Sequence, residues 1–266
     1  MTKRNIMYRL LVCCSMLLVC CGCRKTEKGP KSRQQERMAE YVVQHSITPQ
    51  NARSQEVIAR KTPTLQREFS NASLTLGSPI FLRIFKESRE LELWVEQNKK
   101  FVLFKTYPIA YLSGSLGPKL REGDEQAPEG FYYVSPSRLN PNSKFHLSFN
   151  IGYPNLYDQS HQRTGSAIMV HGNTVSIGCF AMTDPLIEEI YAIADHALNA
   201  GQRFFRVHVF PFRMLDEKLA QHVQSPHLAF WKNLQEGYSF FEQTRRPPNV
   251  IVEHNLYVFE ADKEGI

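Results

Sequence analysis

A β-rich α+β fold is predicted by three features of this 266-residue sequence. Short apolar–polar alternations begin near residue 74 and continue as a meander. A helix with clear start and stop signals opens after residue 183 and is followed at once by an apolar strand. A further helical stretch then precedes a last strand or hairpin. A hydrophobic content of 42% allows a real core for one domain with extensions.

Taken in order, residues 1–22 read as a signal segment. Lys3, Arg4 and Arg9 flank the apolar run "LLVCCSMLLVCCGC", which is too short to span a bilayer as a stable helix. Gly22 before Cys23 suggests a bacterial lipoprotein site at which Cys23 carries the lipid. A cleaved secretory signal and an uncleaved anchor are the alternatives. Either export reading places the protein on the periplasmic side of a bacterial envelope, lipid-anchored at the membrane or secreted to the periplasm. Residues 23–73 read as a polar tether, because "RKTEKGPKSRQQER" cannot bury enough apolar area to fold alone. One or two short helices are predicted within residues 38–62, ended by Pro63.

Residues 74–212 carry the main domain. Strands are predicted at 79–86, 90–96 and 101–106, then at 131–134, 145–152 and 167–172. Between them "SGSLGPKLREGDEQAPEG" reads as a long surface loop with a possible function. In the helix after residue 183, Thr183 or Asp184 is the predicted cap, Pro185 suits the first turn, and Gly201 can end it. "FFRVHVF" at 204–210 returns as a strand. Residues 213–266 are predicted to form a helical extension with a terminal strand or hairpin, packing on the domain.

Charge excludes one class of function. The formal net charge is +6, and without Lys3, Arg4 and Arg9 it falls to about +3. That is too weak and too scattered for a nucleic-acid footprint. No Gly-rich phosphate loop or dinucleotide fingerprint is present, and no cofactor is implied.

Cysteine arithmetic singles out one residue. Every cysteine but Cys179 lies within the first 23 residues, so the folded domain keeps one thiol and no disulfide framework. Cys179 lies in "HGNTVSIGCF", eight positions after His171. A thiol is only a few per cent ionised at neutral pH, and a neighbouring imidazole can take its proton. Such a pair predicts an apparent thiol pKa below about 8.5. Gly172 and Gly178 allow sharp turns or close approach to a substrate. Gly178 also frees backbone N–H groups to face a developing oxyanion. On spacing alone two other readings stay open. Cys179 can be an inert core residue. A metal site can use His161, His171 and Cys179 with His146 or His208, although no ligand pair has helical or C-x-x-C spacing.

"HGNTVSIGCFAM" resembles the H-G-x(n)-S-x-G-C motif of the YkuD-type L,D-transpeptidases of bacterial cell walls, in their YafK-like branch. The stretches "LGPKLREGDEQAPEGFYYV", "NIGYPNLYD", "VHVFPFRM" and "FFEQTRRPP" resemble that branch in the same order. The resemblance implies a YkuD-type catalytic domain over 74–212, with Cys179 as nucleophile and His171 as base. It implies that Ser176, Gly172 and Gly178 shape the loop and that amides near Gly178 form the oxyanion hole. It further implies peptidoglycan stem peptides as substrate, a wall-linked lipoprotein as a possible partner, and no metal. The widespread family form has an arginine where this chain has Ala181. The cation that meets the substrate's carboxylates is therefore open, with Lys119, Arg121, Arg163 and Arg213 as candidates. Tyr157, with Tyr132, Tyr133 and Tyr153, is a candidate for lining a groove.

Overall fold

The computed structural model describes residues 47–261. The signal segment, Cys23 and most of the tether lie outside the described residues.

The fold is built on two sheets. The larger has strand order β3-β2-β1-β9-β4, from β1 (Ile80–Phe85), β2 (Glu90–Gln97), β3 (Lys100–Pro108), β4 (Gly130–Val134) and β9 (Phe205–Phe210). Strand β1 runs parallel to β9 and antiparallel to β2. The smaller sheet has order β5-β6-β7-β8, from β5 (Leu139–Asn140), β6 (Ser148–Asn150), β7 (Met169–His171) and β8 (Phe180–Ala181). Its last pair, β7 and β8, is parallel.

Every residue of β1 and β9 is buried, because both faces of the large sheet are covered. Ile80, Leu82 and Ile84 of β1, with Phe205, Val207 and Val209 of β9, enter the main core. That core also takes Phe149, Val170 and Phe180 from the small sheet, and Ile187, Ile190, Tyr191 and Ala194 from α3 (Asp184–Asn199). The opposite face packs on α5 (Leu228–Thr244) and on the hairpin of β10 (Asn249–Glu253) and β11 (Leu256–Glu260). There Phe85 and Phe210 meet Trp231, Leu234, Tyr238 and Tyr257. The hairpin turns at His254 and Asn255, both with positive φ (50° and 62°), which matches the twist of the strands. Two further helices are short, α2 (Leu156–Ser160) and α4 (Asp216–Gln221).

The first described helix differs from expectation. α1 spans Ala52–Asn71 and contains Pro63 rather than ending before it. Tertiary packing overrides the proline: Val57 lies before it, Leu65 and Phe69 after it, and all three are buried. Pro63 itself faces solvent. Beside it the Thr62 hydroxyl donates to the Ile58 carbonyl at 2.6 Å and lies 2.8 Å from His196 Nε2 on α3. A capping box between Asn51 and Ser54 starts the helix.

The strand predicted at 145–152 is shorter, because His146 (φ 67°) and Gly152 (φ 87°) leave the extended region on either side. Thr183 stands at the N-cap of α3, but its side chain makes no capping hydrogen bond. Asp184 instead accepts from the Asn173 amide at 2.7 Å, which ties the preceding loop to the helix start.

Candidate active site

The parallel pairing of β7 and β8 sets Cys179 beside the strand that ends in His171. His171 pairs with Ala181, so Cys179, two residues earlier, shares its face of the sheet. The sulfur lies against the strand that ends in His171. It accepts from the Met169 amide at 3.4 Å and donates to the Ala167 carbonyl at 3.7 Å. Among the described residues, nothing hydrogen-bonds to His171 Nε2.

His171 is held in a single tautomer. Its Nδ1 lies 2.5 Å from the Gly172 carbonyl, which can only accept, so Nδ1 carries the proton and Nε2 keeps its lone pair. The ring lies 4.8 Å from that of Phe145. Burial pushes the imidazole pKa down, and the hydrogen bond to Gly172 opposes this in part. Burial also pushes the Cys179 thiol up, against the Met169 amide, the charge on Lys119 and Ser176. The structure thus differs from the expected low thiol pKa. Both groups rest neutral near pH 7, because desolvation outweighs the nearby donors and no imidazolium touches the sulfur.

The loop between them is tightly tied. The Ser176 hydroxyl accepts from the Cys179 amide and donates to the Cys179 carbonyl, both at 2.8 Å. The Gly178 amide donates to the Ser113 hydroxyl at 2.6 Å. The two amides expected to face an oxyanion are therefore both engaged by serine oxygens. Gly178 has φ 99°, a region that disfavours any side chain. A Cβ on Gly172 would come within 2.5 Å of the Asp184 carboxylate and 2.9 Å of the Phe145 carbonyl. Val175 and Ile177 stand out from the loop, 56% and 75% exposed.

The other residues named from sequence fall in different places. Lys119 is buried and paired with Asp124 at 2.5 Å, near enough for its charge to reach Cys179. Arg121 is exposed, with its backbone amide donating to Asp124. Arg163 is buried, paired with Asp158 at 2.8 Å, and lies over the rings of Tyr157 and Phe230. Tyr157 stacks on Tyr257 at 4.1 Å and is buried inside the second core. Tyr132 and Tyr153 are buried with hydrogen-bonded hydroxyls, and Tyr133 is half exposed beneath Arg138. Arg213 pairs with Glu90 and Glu92.

The histidines do not converge. His161 stacks on Tyr157, His146 meets Glu188 at 3.0 Å, and His208 is enclosed by Phe81, Phe131 and Phe210. Among the described residues no group of three or more His, Cys, Asp or Glu could hold a metal ion. Ala181 is fully buried, in register with His171, and bridges Tyr111.

Sequence reasoning named the 113–130 loop and Lys119 within it, but not the residues whose hydrogen bonds tie the loop to the site. Ser113 reaches Gly178 directly. The Gln126 side chain bonds the Ser115 amide and carbonyl and the Gly117 carbonyl. Lys86 Nζ, itself buried, donates to the Gly117 and Ala127 carbonyls and to Glu129 at 2.7, 2.9 and 3.0 Å. Residues so far apart give no local pattern to read.

The family profile described as "YkuD: L,D-transpeptidase catalytic domain" matches residues 81–209. Two curated relatives, both named "Putative L,D-transpeptidase YafK", from Escherichia coli strains K12 and O157:H7, are 45% identical to this chain over 183 residues. The match covers 69% of this chain and 74% of each relative. Among solved structures, the helical cell shape determining protein Pgp2 (K307A mutant) of Campylobacter jejuni aligns with a TM-score of 0.43 and 20% identity. That alignment covers 61% of this chain and 56% of the other. The chain belongs to the YkuD-type L,D-transpeptidase family, a peptidoglycan-acting family, in its YafK-like branch.

Proposed function

We propose that the protein transfers acyl groups of peptidoglycan stem peptides through a thioester on Cys179. The observation that carries this reading is the parallel β7–β8 pairing, which sets a lone thiol and a single-tautomer imidazole on one sheet face.

The neutral resting pair calls for general-base attack. His171 Nε2 takes the thiol proton as the sulfur adds to the main-chain carbonyl of a diaminopimelate residue. The tetrahedral oxyanion collapses, the C–N bond breaks, and the proton on His171 passes to the leaving amine. A second nucleophile then attacks the thioester and restores the thiol. An amine acceptor makes the enzyme an L,D-transpeptidase. Water makes it an amidase that releases a wall-linked lipoprotein. The short, open loop with Val175 and Ile177 at its edge suits a bulky protein chain in the site, so hydrolysis of that link is the favoured reaction. The same reading puts the protein on the periplasmic side of the envelope, held by lipid on Cys23.

The test is incubation with purified sacculi that carry bound lipoprotein, followed by mass spectrometry of the products. Free lipoprotein and trimmed muropeptides are expected. New cross-links without released protein would instead favour transpeptidation. No change beyond that seen with Cys179→Ala would remove the proposal.

A further inference from the structure

Two hydroxyls hold the amides around the nucleophile, and they are not equivalent. Ser176 has its proton committed, since it accepts from the Cys179 amide and donates to the Cys179 carbonyl. Ser113 accepts from the Gly178 amide at 2.6 Å, and no described group accepts its own proton. Its O–H is therefore the uncommitted donor next to Cys179. A hydroxyl that already accepts a hydrogen bond is polarised and becomes the stronger donor.

Ser113 is also fixed in place before any substrate arrives. Its carbonyl accepts from the Ala127 amide at 3.3 Å. The Ala127 and Gly117 carbonyls are gripped in turn by the buried Lys86 ammonium. Gln126 staples Ser115 to Gly117 across the same loop, and the Gln126 carbonyl lies against Gly178. Preorganised donors of this kind give an oxyanion site its value, because they need no reorganisation when charge develops.

We infer that the Ser113 hydroxyl is the side-chain donor of the oxyanion site, with the Gly178 amide acting through it. The inference rests on the proposed thioester chemistry. As the Cys179 sulfur adds to the carbonyl carbon, the carbonyl π pair moves to oxygen. Ser113 donates its proton as a hydrogen bond to that oxygen and keeps it when the carbonyl reforms. Ser113 thus touches the reacting atoms and is a catalytic residue of this chain contributed from outside the family motif.

The test uses the full chain with two probes and compares four variants. 4-Nitrophenyl acetate acylates a thiol through a tetrahedral oxyanion and releases 4-nitrophenolate, read as a burst above the Cys179→Ala background. Iodoacetamide alkylates the same sulfur by displacement, with no oxyanion. Ser113→Ala should lower the acylation rate by about 100-fold and leave alkylation unchanged. Should the missing hydroxyl unsettle the loop, Ser113→Thr and Ser113→Val give the same comparison in one shape. The threonine variant should keep most of the acylation rate and the valine variant should lose it. Equal acylation in the serine, alanine and valine forms overturns the role of Ser113 while leaving Cys179 as nucleophile. A parallel fall in acylation and alkylation also overturns it, because Ser113 then only shapes the thiol. Absence of any Cys179-dependent burst in the unchanged protein overturns the thioester reading itself.

Discussion

The buried ion pair behind the active-site loop offers the sharpest test of how the fold supports the site. Lys86 and Glu129 have side chains only 1% and 0% exposed. The ammonium makes three hydrogen bonds, to Gly117, Ala127 and Glu129. Glu129 also accepts from the Gly117 amide at 2.7 Å and from the Trp231 indole at 2.8 Å. Lys86→Met replaces the ammonium with an apolar chain of similar length. It leaves a carboxylate sealed from water with two neutral donors and no cation, and it takes the Lys86 donor from the Ala127 carbonyl, while the Gly117 carbonyl keeps Gln126. Breaking a buried pair from one side costs about 3–5 kcal/mol. For a domain of this size that corresponds to a fall in Tm of roughly 6–20 °C. Thermal unfolding followed by circular dichroism reads the shift directly, and urea unfolding gives the free energy. Lys86→Met with Glu129→Gln removes the orphaned charge and should regain part of the loss. A Lys86→Met protein less than about 1 kcal/mol weaker than the parent would refute the reasoning, as would a double variant weaker than the single.

Three further outcomes follow from the same geometry. Because burial lowers the His171 pKa, kcat/KM should rise with pH through a midpoint below the ordinary histidine value of 6.5, while iodoacetamide alkylation should titrate above the ordinary thiol range. A thiol midpoint near 7 would show a resting ion pair instead. His208 is fully buried with both ring nitrogens unpartnered, and its pKa lies well below 6.5 owing to burial and then to Arg206 and Arg83. The unfolded chain therefore binds a proton at this position that the native state refuses. Stability present above pH 6.5 is lost on acidification, by up to about 1.4 kcal/mol per pH unit. His208→Leu should flatten that slope in urea titrations at pH 5–6.5, and an unchanged slope would assign the loss elsewhere. Pro63→Ala should stabilise α1 by about 1–3 kcal/mol, since Ala59 regains its helical donor at a solvent-facing position. A loss of stability would mean that the proline ring packs against something that α1 needs.

The elements that place the nucleophile were legible because they depend on local pattern. The alternation from residue 79 onward, Pro185 after Thr183 and the apolar spacing through Ala197 fix the helix and most strands within a residue or two of their observed bounds, the strand expected at 145–152 being the exception. The glycines and serine between His171 and Cys179 marked a tight loop for the same reason. Pro63 misled, because the burial that holds α1 together across it comes from residues distant in sequence. The thiol's electrostatics were not legible either, since burial of the sulfur depends on β7 lying beside it. Ser113, Lys86 and Glu129 reach the site across 31 to 65 residues of chain, and only the folded sheets bring them together. Tyr157 and Arg163 looked like surface groups for binding, but the stacked rings of the second core take them inside.

The most direct measurement is the intact mass of the protein, quenched in acid within milliseconds of mixing with a muropeptide carrying the stem peptide. Mass gained by the acyl fragment, mapped to Cys179 and labile to hydroxylamine, is the predicted result. It should be absent in Cys179→Ala and accumulate far more slowly in His171→Asn. Turnover of the muropeptide at full rate in Cys179→Ala, or an adduct on any other residue, would contradict the account.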